Sequence, residues 1–326
     1  MRAVVLKGRG GPEVLAVEEV ADPQAGPGQV RVRVRAAGLN RADLLQRLGS
    51  YGQDFGPGPH IPGLEFAGEV DQLGEGVASL KLGDRVFGIC ASGGQAERLV
   101  VAERGAVRVP DSLDDTSAGA VPEAFITAHD ALFTVGGLRP GESVLVQAVG
   151  SGVGIAAAQL ARAAGATVLG ASRTPGKLTR ARELGVDVPI ETSSGTWAQA
   201  VRAATGGRGV DLVADFLGAS GLYENLASLA DRGRMVVIGL LGGPTAELNL
   251  GPVLARRLRI EGTVLRSRPF EEKLCAVQAF ARGVVPLLAR GAVKPVVDAV
   301  MPLEQIREAH AHLASNESFG KIVLSL

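Results

Sequence analysis

Cysteine is nearly absent: the 326-residue chain has only Cys90 and Cys275, far apart in sequence. A disulfide framework is therefore excluded, and a reducing compartment fits. Charge of one sign is not in excess, since 34 Lys and Arg stand against 34 Asp and Glu. A broad nucleic-acid footprint normally needs a basic face, so a zero balance argues against that partner. No uncharged run approaches the ~20 apolar residues that span a bilayer. The opening MRAVVLKGRGGPE carries too short an apolar stretch for a secretory signal. These absences lead us to expect a cytoplasmic protein without a membrane or nucleic-acid partner. Aromatic residues make up only 4% of the chain, so the few in loops are informative.

Apolar residues, by contrast, make up 46%, enough for sizeable cores, and the length suggests two domains. Residues 30–36, VRVRVRA, alternate apolar and charged side chains, the mark of a half-buried strand. Short strand-like runs follow at 68–72, 85–89 and 98–101, separated by Gly and Pro turns. The character changes near Pro122. Buried strands at 143–148, 167–171, 210–216, 235–240 and 260–265 alternate with helical stretches, including 152–164 and 175–184. That alternation predicts an α/β unit with a parallel sheet covered on both faces. A long helix over 270–289, a strand at 296–300, a helix at 303–314 and a last strand at 321–324 are too few for a third domain. We expect them to complete the first. The boundaries read as 1–122 with 270–326, and 123–269.

Residues 144–154, VLVQAVGSGVG, place a glycine-rich turn between a buried strand and a helix. Free N–H groups and the positive end of the helix dipole there suit a pyrophosphate. The strand before, the helix after and a second strand about a dozen residues later favour a dinucleotide site over a plain turn. Read against GxGxxG, Val149 and Ser151 take the first two glycine places and Gly154 the third. Gly150, Ser151, Gly152, Val153 and Gly154 are thus cofactor candidates. Ser151 is either a small turn residue or a hydroxyl near the nicotinamide or phosphates. At the end of the second strand, where NAD sites carry an acid, the chain reads GASRT. Ser172, Arg173 and, one turn on, Lys177 can hold a 2′-phosphate, which points to NADPH. The alternative is that both cations are solvated residues at a helix start.

The segments LNRADLLQR (39–47), Tyr51 and its loop, PGLEFAGEV (62–70), PEAFITA (122–128), the VGSGVG turn and GTVLRSR (262–268) together resemble the zinc-free quinone oxidoreductases of the medium-chain dehydrogenase/reductase superfamily. The tumour-suppressor-inducible subgroup is the nearest in kind. The resemblance spans essentially the whole chain. It implies a GroES-like β-rich catalytic domain plus a Rossmann doubly wound parallel-sheet domain, with NADPH between them, a homodimer, and quinone as hydride acceptor. Zinc-dependent relatives place a Cys where Asn40 stands and a His where Leu64 stands, beside a carboxylate that survives here as Glu65. Asn and Leu cannot build a three-ligand zinc centre, so no metal is expected. The donors to the substrate would be Asn40, Tyr51 and Ser151, with Thr127 near the nicotinamide. Leu217, Gly239, Leu240, Leu265, Arg266 and Lys321 complete the cofactor candidates. Close relatives carry a tyrosine where Thr192 stands, which would weaken selectivity for NADPH.

Two other functions stay open on sequence alone: reduction of enoyl thioesters or other α,β-unsaturated carbonyls, and NADPH or nucleic-acid binding without catalysis. Asp215 could touch cofactor or cap a loop. The four histidines lack motifs and read as surface residues. In a sheet of order 3-2-1-4-5-6, the strand at 260–265 would be an uncovered edge, suited to pairing with a second copy.

Overall fold

The structure, a computed structural model, describes residues 1–51 and 59–326. The expected lid around Tyr51 falls largely on residues 52–58, outside the described residues. The chain forms two compact units, Met1–Ile126 with Arg268–Leu326, and Thr127–Ser267.

The first unit is built on a mostly antiparallel sheet centred on Gln29–Gly38, with one parallel pair at its C-terminal edge. This strand pairs with Glu65–Leu73, Arg98–Ala102 and Lys321–Ser325. The sheet continues from Glu65–Leu73 to Arg85–Ile89 and Val107–Arg108, and from Lys321–Ser325 to Val297–Pro302. The alternation in VRVRVR has the physical consequence expected of a pleat. Val30, Val32 and Val34 are buried with Phe66, Val70 and Leu99, while Arg31 and Arg33 pair with Asp71 and Glu69 on the facing strand. The C-terminal segment thus completes this unit from inside its sheet. The long helix expected over 270–289 is two helices, Phe270–Gly283 and Val285–Ala289. Pro286 cannot donate a helical hydrogen bond, and it sits in the first turn of the second helix, where none is needed.

The second unit is labelled here in chain order: β1 (Ser143–Val146), α1 (Gly152–Ala163), β2 (Thr167–Ser172), α2 (Pro175–Arg182), β3 (Val188–Glu191), α3 (Ala198–Ala204), β4 (Val210–Asp215), α4 (Leu222–Ser228), β5 (Leu229–Val237), α5 (Leu250–Arg256) and β6 (Arg259–Gly262). All pairings are parallel and the order is β3-β2-β1-β4-β5-β6. This is a Rossmann-like doubly wound sheet. The apolar runs in β1, β2, β4 and β5 pack with Trp197 and Val201 into one core. β5 begins earlier than expected and stops at Val237, leaving Gly239 and Leu240 in the loop that follows. β6 is shorter than expected. Its four residues are all exposed, and β5 is its partner on the sheet's inner side. Among the described residues no helix is long and apolar enough to cross a membrane.

Candidate functional site

In the second unit, β1 delivers the chain to the glycine turn and α1 leaves it. Ser151 is the N-cap of α1, and its Oγ accepts from the Gly154 N–H at 3.0 Å. That bond leaves the hydroxyl proton of Ser151 available, and the residue is exposed. Gly154 has no room for a side chain: a Cβ would lie 2.5 Å from the Ala148 carbonyl oxygen and 2.8 Å from Val149 Cα. This is the close helix–strand contact that the third glycine of a dinucleotide turn provides. Val149, at the first glycine place, is buried and donates its N–H to Ala171 O at 3.0 Å.

At the end of β2, Ser172 is buried and its Oγ accepts from the Thr174 N–H at 3.1 Å. Arg173 is exposed and Lys177 half-buried in the first turn of α2. Thr192 is buried, its N–H bonded to Ser172 O at 3.0 Å. The stretch 170–174 itself carries no acid, while Glu191 of β3 stands beside Ser172 in the ladder. Leu217, Gly239 and Leu240 lie in the loops after β4 and β5, and these loops are bonded to each other. Gly242 N donates to Leu217 O at 2.7 Å and Ala219 N to Gly243 O at 3.0 Å. Asp215, left open between cofactor contact and loop cap, caps the loop. Its carboxylate accepts from Leu217 N at 2.9 Å, Gly218 N at 3.0 Å and Asn225 Nδ2 at 2.9 Å. Burial pushes its pKa up, against these donors. Leu265 is buried, Arg266 half-buried, and Thr127, at the head of this unit, half-buried.

The first unit brings a different set together. Lys321 and Glu65 are both buried, with Nζ donating to Glu65 Oε1 at 2.6 Å. The same ammonium donates to Asn40 Oδ1 at 2.6 Å and Leu39 O at 2.7 Å. Its three donors are thereby committed inside this unit. Asn40 is fixed by the same network. Its Nδ2 donates to Glu65 Oε1 at 2.8 Å and lies 3.4 Å from Gly38 O, and its backbone N–H is held by Asp43 at 2.7 Å. Both amide hydrogens face protein acceptors, so Asn40 holds the Lys–Glu pair in place. Leu64 is buried beside them. Among the described residues no three His, Cys, Asp or Glu side chains cluster as around a metal ion.

Glu123 is a group that sequence reasoning missed. Its backbone N–H donates to Glu65 Oε2 at 2.9 Å. Burial, and the neighbouring Glu65 charge, push its carboxyl up to about 8. Burial also pushes up the Cys90 thiol, which donates to Gly63 O. Nothing in PEAFITA marks Glu123 as unusual; only the fold sets it against Glu65. Tyr51 is half-buried at the edge of the described residues. One histidine departs from the surface reading. His310 is fully buried on the helix Ile306–Ser315, and burial lowers its pKa to about 3.

Residues 26–111 match the alcohol dehydrogenase GroES-like domain and residues 152–282 the zinc-binding dehydrogenase domain. The second match lies wholly outside Asn40, Leu64 and Glu65, so its descriptive name says nothing of those positions. The chain is 33% identical over 329 residues to quinone oxidoreductase of Rattus norvegicus, covering 100% of this chain and 98% of that one. It is 34% identical over 343 residues to synaptic vesicle membrane protein VAT-1 homolog of the same species, covering 99% and 84%. Among solved structures, quinone oxidoreductase of Pseudomonas syringae pv. Tomato DC3000 is similar at 30% identity and a TM-score of 0.90, with 100% and 99% coverage. A mycobacterial protein complexed with NADPH is similar at 28% identity and a TM-score of 0.90, with 100% of each chain covered. The chain is an oxidoreductase-type protein that belongs to the quinone oxidoreductase family of the medium-chain dehydrogenase/reductase superfamily.

Proposed function

We propose that the protein is an NADPH-dependent quinone oxidoreductase that works without a metal. The observation that carries the cofactor half is the end of β2, where Ser172, Arg173 and Lys177 stand and no acid does. The turn fits a dinucleotide: the Cβ-free space at Gly154 lets α1 approach β1, and the α1 N-terminus offers N–H groups to a pyrophosphate. Residues of the 150–154 turn would hold the pyrophosphate, Arg173 and Lys177 the 2′-phosphate, and Thr127 and Leu240 the nicotinamide side. NADPH, when bound, supplies the hydride. As hydride reaches a quinone, negative charge grows on its oxygen, and hydroxyl donors that strengthen in the transition state lower the barrier. Ser151 keeps a free hydroxyl proton for that purpose, and Tyr51 combines a ring suited to stacking on a quinone with a second hydroxyl. Asn40 moves from donor to scaffold, since its amide hydrogens face Glu65 and Gly38.

The reading extends to assembly and place. The exposed edge β6 leaves a row of backbone groups available, and pairing with its twofold copy would make a homodimer. Balanced charge and scarce cysteine fit the cytoplasm. The test of the function is a panel of quinones, enones and enoyl thioesters given to chelator-treated protein with NADPH, its oxidation followed by absorbance. Quinones are expected to turn over fastest. Faster turnover of the thioesters would refute the quinone assignment.

A further inference from the structure

Three loops at the carboxyl edge of the second unit's sheet meet around three buried side chains, Gln147, Asn225 and Asp215. Gln147 is the residue between β1 and the glycine turn. It is 1% exposed, and its Nε2 donates to Asn225 Oδ1 at 2.7 Å. Asn225, on α4, is fully buried and donates through Nδ2 to Asp215 Oδ1 at 2.9 Å. Asp215, the last residue of β4, is fully buried and also accepts from Leu217 N and Gly218 N. Its backbone oxygen accepts from Ile238 N at 2.7 Å, at the start of the loop after β5. Gly218 has a positive φ of +67°, and a Cβ there would lie 2.8 Å from Gly243 O. The loop after β4 is therefore pressed against the loop after β5 in a conformation that a side chain would block. On the other side, the residue following Gln147 is Ala148, a non-glycine at φ 46°, and Ser151 N closes onto Ala148 O at 2.9 Å.

We propose that Gln147, Asn225 and Asp215 form a positioning network that fixes the glycine turn relative to the loops carrying Leu217, Gly239 and Leu240, so that binding of the nicotinamide half of the dinucleotide depends on Asn225. The inference rests on the dinucleotide reading above. Asn225 links the two side chains: its oxygen faces Gln147 and its nitrogen faces Asp215. An apolar side chain there would leave the buried Gln147 Nε2 unpaired and would leave Asp215 Oδ1 with Leu217 N alone, and the loops would shift to find partners. The adenosine end is held elsewhere. Ser172, Arg173 and Lys177 follow β2, which flanks β1 on the side opposite β4. The two halves of the ligand therefore report on different parts of the protein.

The experiment measures dissociation constants of NADPH, NADH and 2′,5′-ADP for the unmodified protein and for Asn225→Leu, Gln147→Leu, Asn225→Asp and Asp215→Asn/Asn225→Asp, each checked for folding by circular dichroism. Asn225→Leu and Gln147→Leu are expected to raise the constants for NADPH and NADH by a common factor of about ten, the cost of an unpaired buried group. The 2′,5′-ADP constant should stay within about twofold. Asn225→Asp sets two carboxylates against each other. The double variant restores a donor between positions 215 and 225, and it should recover part of the NADPH affinity lost by Asn225→Asp. If Asn225→Leu does not fold, Gln147→Leu and the exchange pair carry the same comparison. Unchanged NADPH affinity in folded variants, an equal loss for 2′,5′-ADP, or no recovery in the double variant would overturn the network. An unmodified protein that binds 2′,5′-ADP and NADPH in neither case would instead refute the dinucleotide reading, and the inference with it.

Discussion

Replacing Glu123 by Gln should remove a pH dependence of stability that the fold itself creates. Glu123 is half-buried next to Glu65, whose Oε1 is paired with Lys321 while Oε2 accepts the Glu123 N–H. Burial is the larger cause, and Glu65 the next, of the rise from 4.5 to about 8. The sign follows from linkage. Between these two values the unfolded chain has lost the proton and the folded protein keeps it. Stability from this group is therefore fully present below pH 4.5 and is lost as pH rises toward 8. The slope is at most about 1.4 kcal/mol per pH unit. Gln keeps the shape and cannot ionise, so Glu123→Gln should lose that slope and become the more stable of the pair toward the upper end. Urea unfolding at intervals between about pH 5 and pH 8 reads the difference directly. Parallel stability curves for the two proteins across that range would show that Glu123 is ionised in the fold, and the account of this cluster would fail.

Arg173→Ala should raise the NADPH constant about tenfold or more and leave NADH nearly untouched, because a charge-assisted contact contributes about 1.5–3 kcal/mol; equal loss for both cofactors would place Arg173 elsewhere. Tyr51→Phe and Ser151→Val should lower kcat with a quinone while NADPH binding persists, as for interactions made in the transition state; full turnover in both would remove them as donors. Ile260→Lys in β6, where Ile260 is 38% exposed, should shift light scattering from dimer toward monomer. A monomer already present in the unmodified protein at micromolar concentration would refute the edge pairing.

Much of the fold was legible because local pattern and topology agree. The period-2 run at 30–36 could only be a half-buried strand, and strand–helix alternation after Pro122 could only be a parallel sheet. Its order then followed from the doubly wound rule. The glycine turn was legible for the same reason: its context, more than its glycines, marked it. What sequence hid was side-chain partnership across long separations. Lys321 reads as a cation near the chain's end, yet the antiparallel pairing of Lys321–Ser325 with Gln29–Gly38 delivers its ammonium to Asn40 and Glu65. Asn40 reads as a donor, yet that ammonium fixes its amide. Gln147 sits unmarked within the 144–154 motif and Asn225 lies outside any motif, and only their 2.7 Å contact gives them a shared purpose. Strand ends were misread where Gly and Leu continue an apolar run past the last ladder bond, as at Gly239 and Leu240.

The central claim is hydride transfer from NADPH to a quinone by the protein alone. The most direct measurement is kcat/KM for a simple 1,4-benzoquinone with NADPH and with NADH, using protein freed of metal by a chelator and then assayed with and without added zinc. The account predicts turnover in the metal-free protein, unchanged by zinc, with NADPH preferred by about tenfold or more, as loss of one charge-assisted phosphate contact would imply. Turnover that appears only with zinc, or equal kcat/KM for the two cofactors, would contradict it.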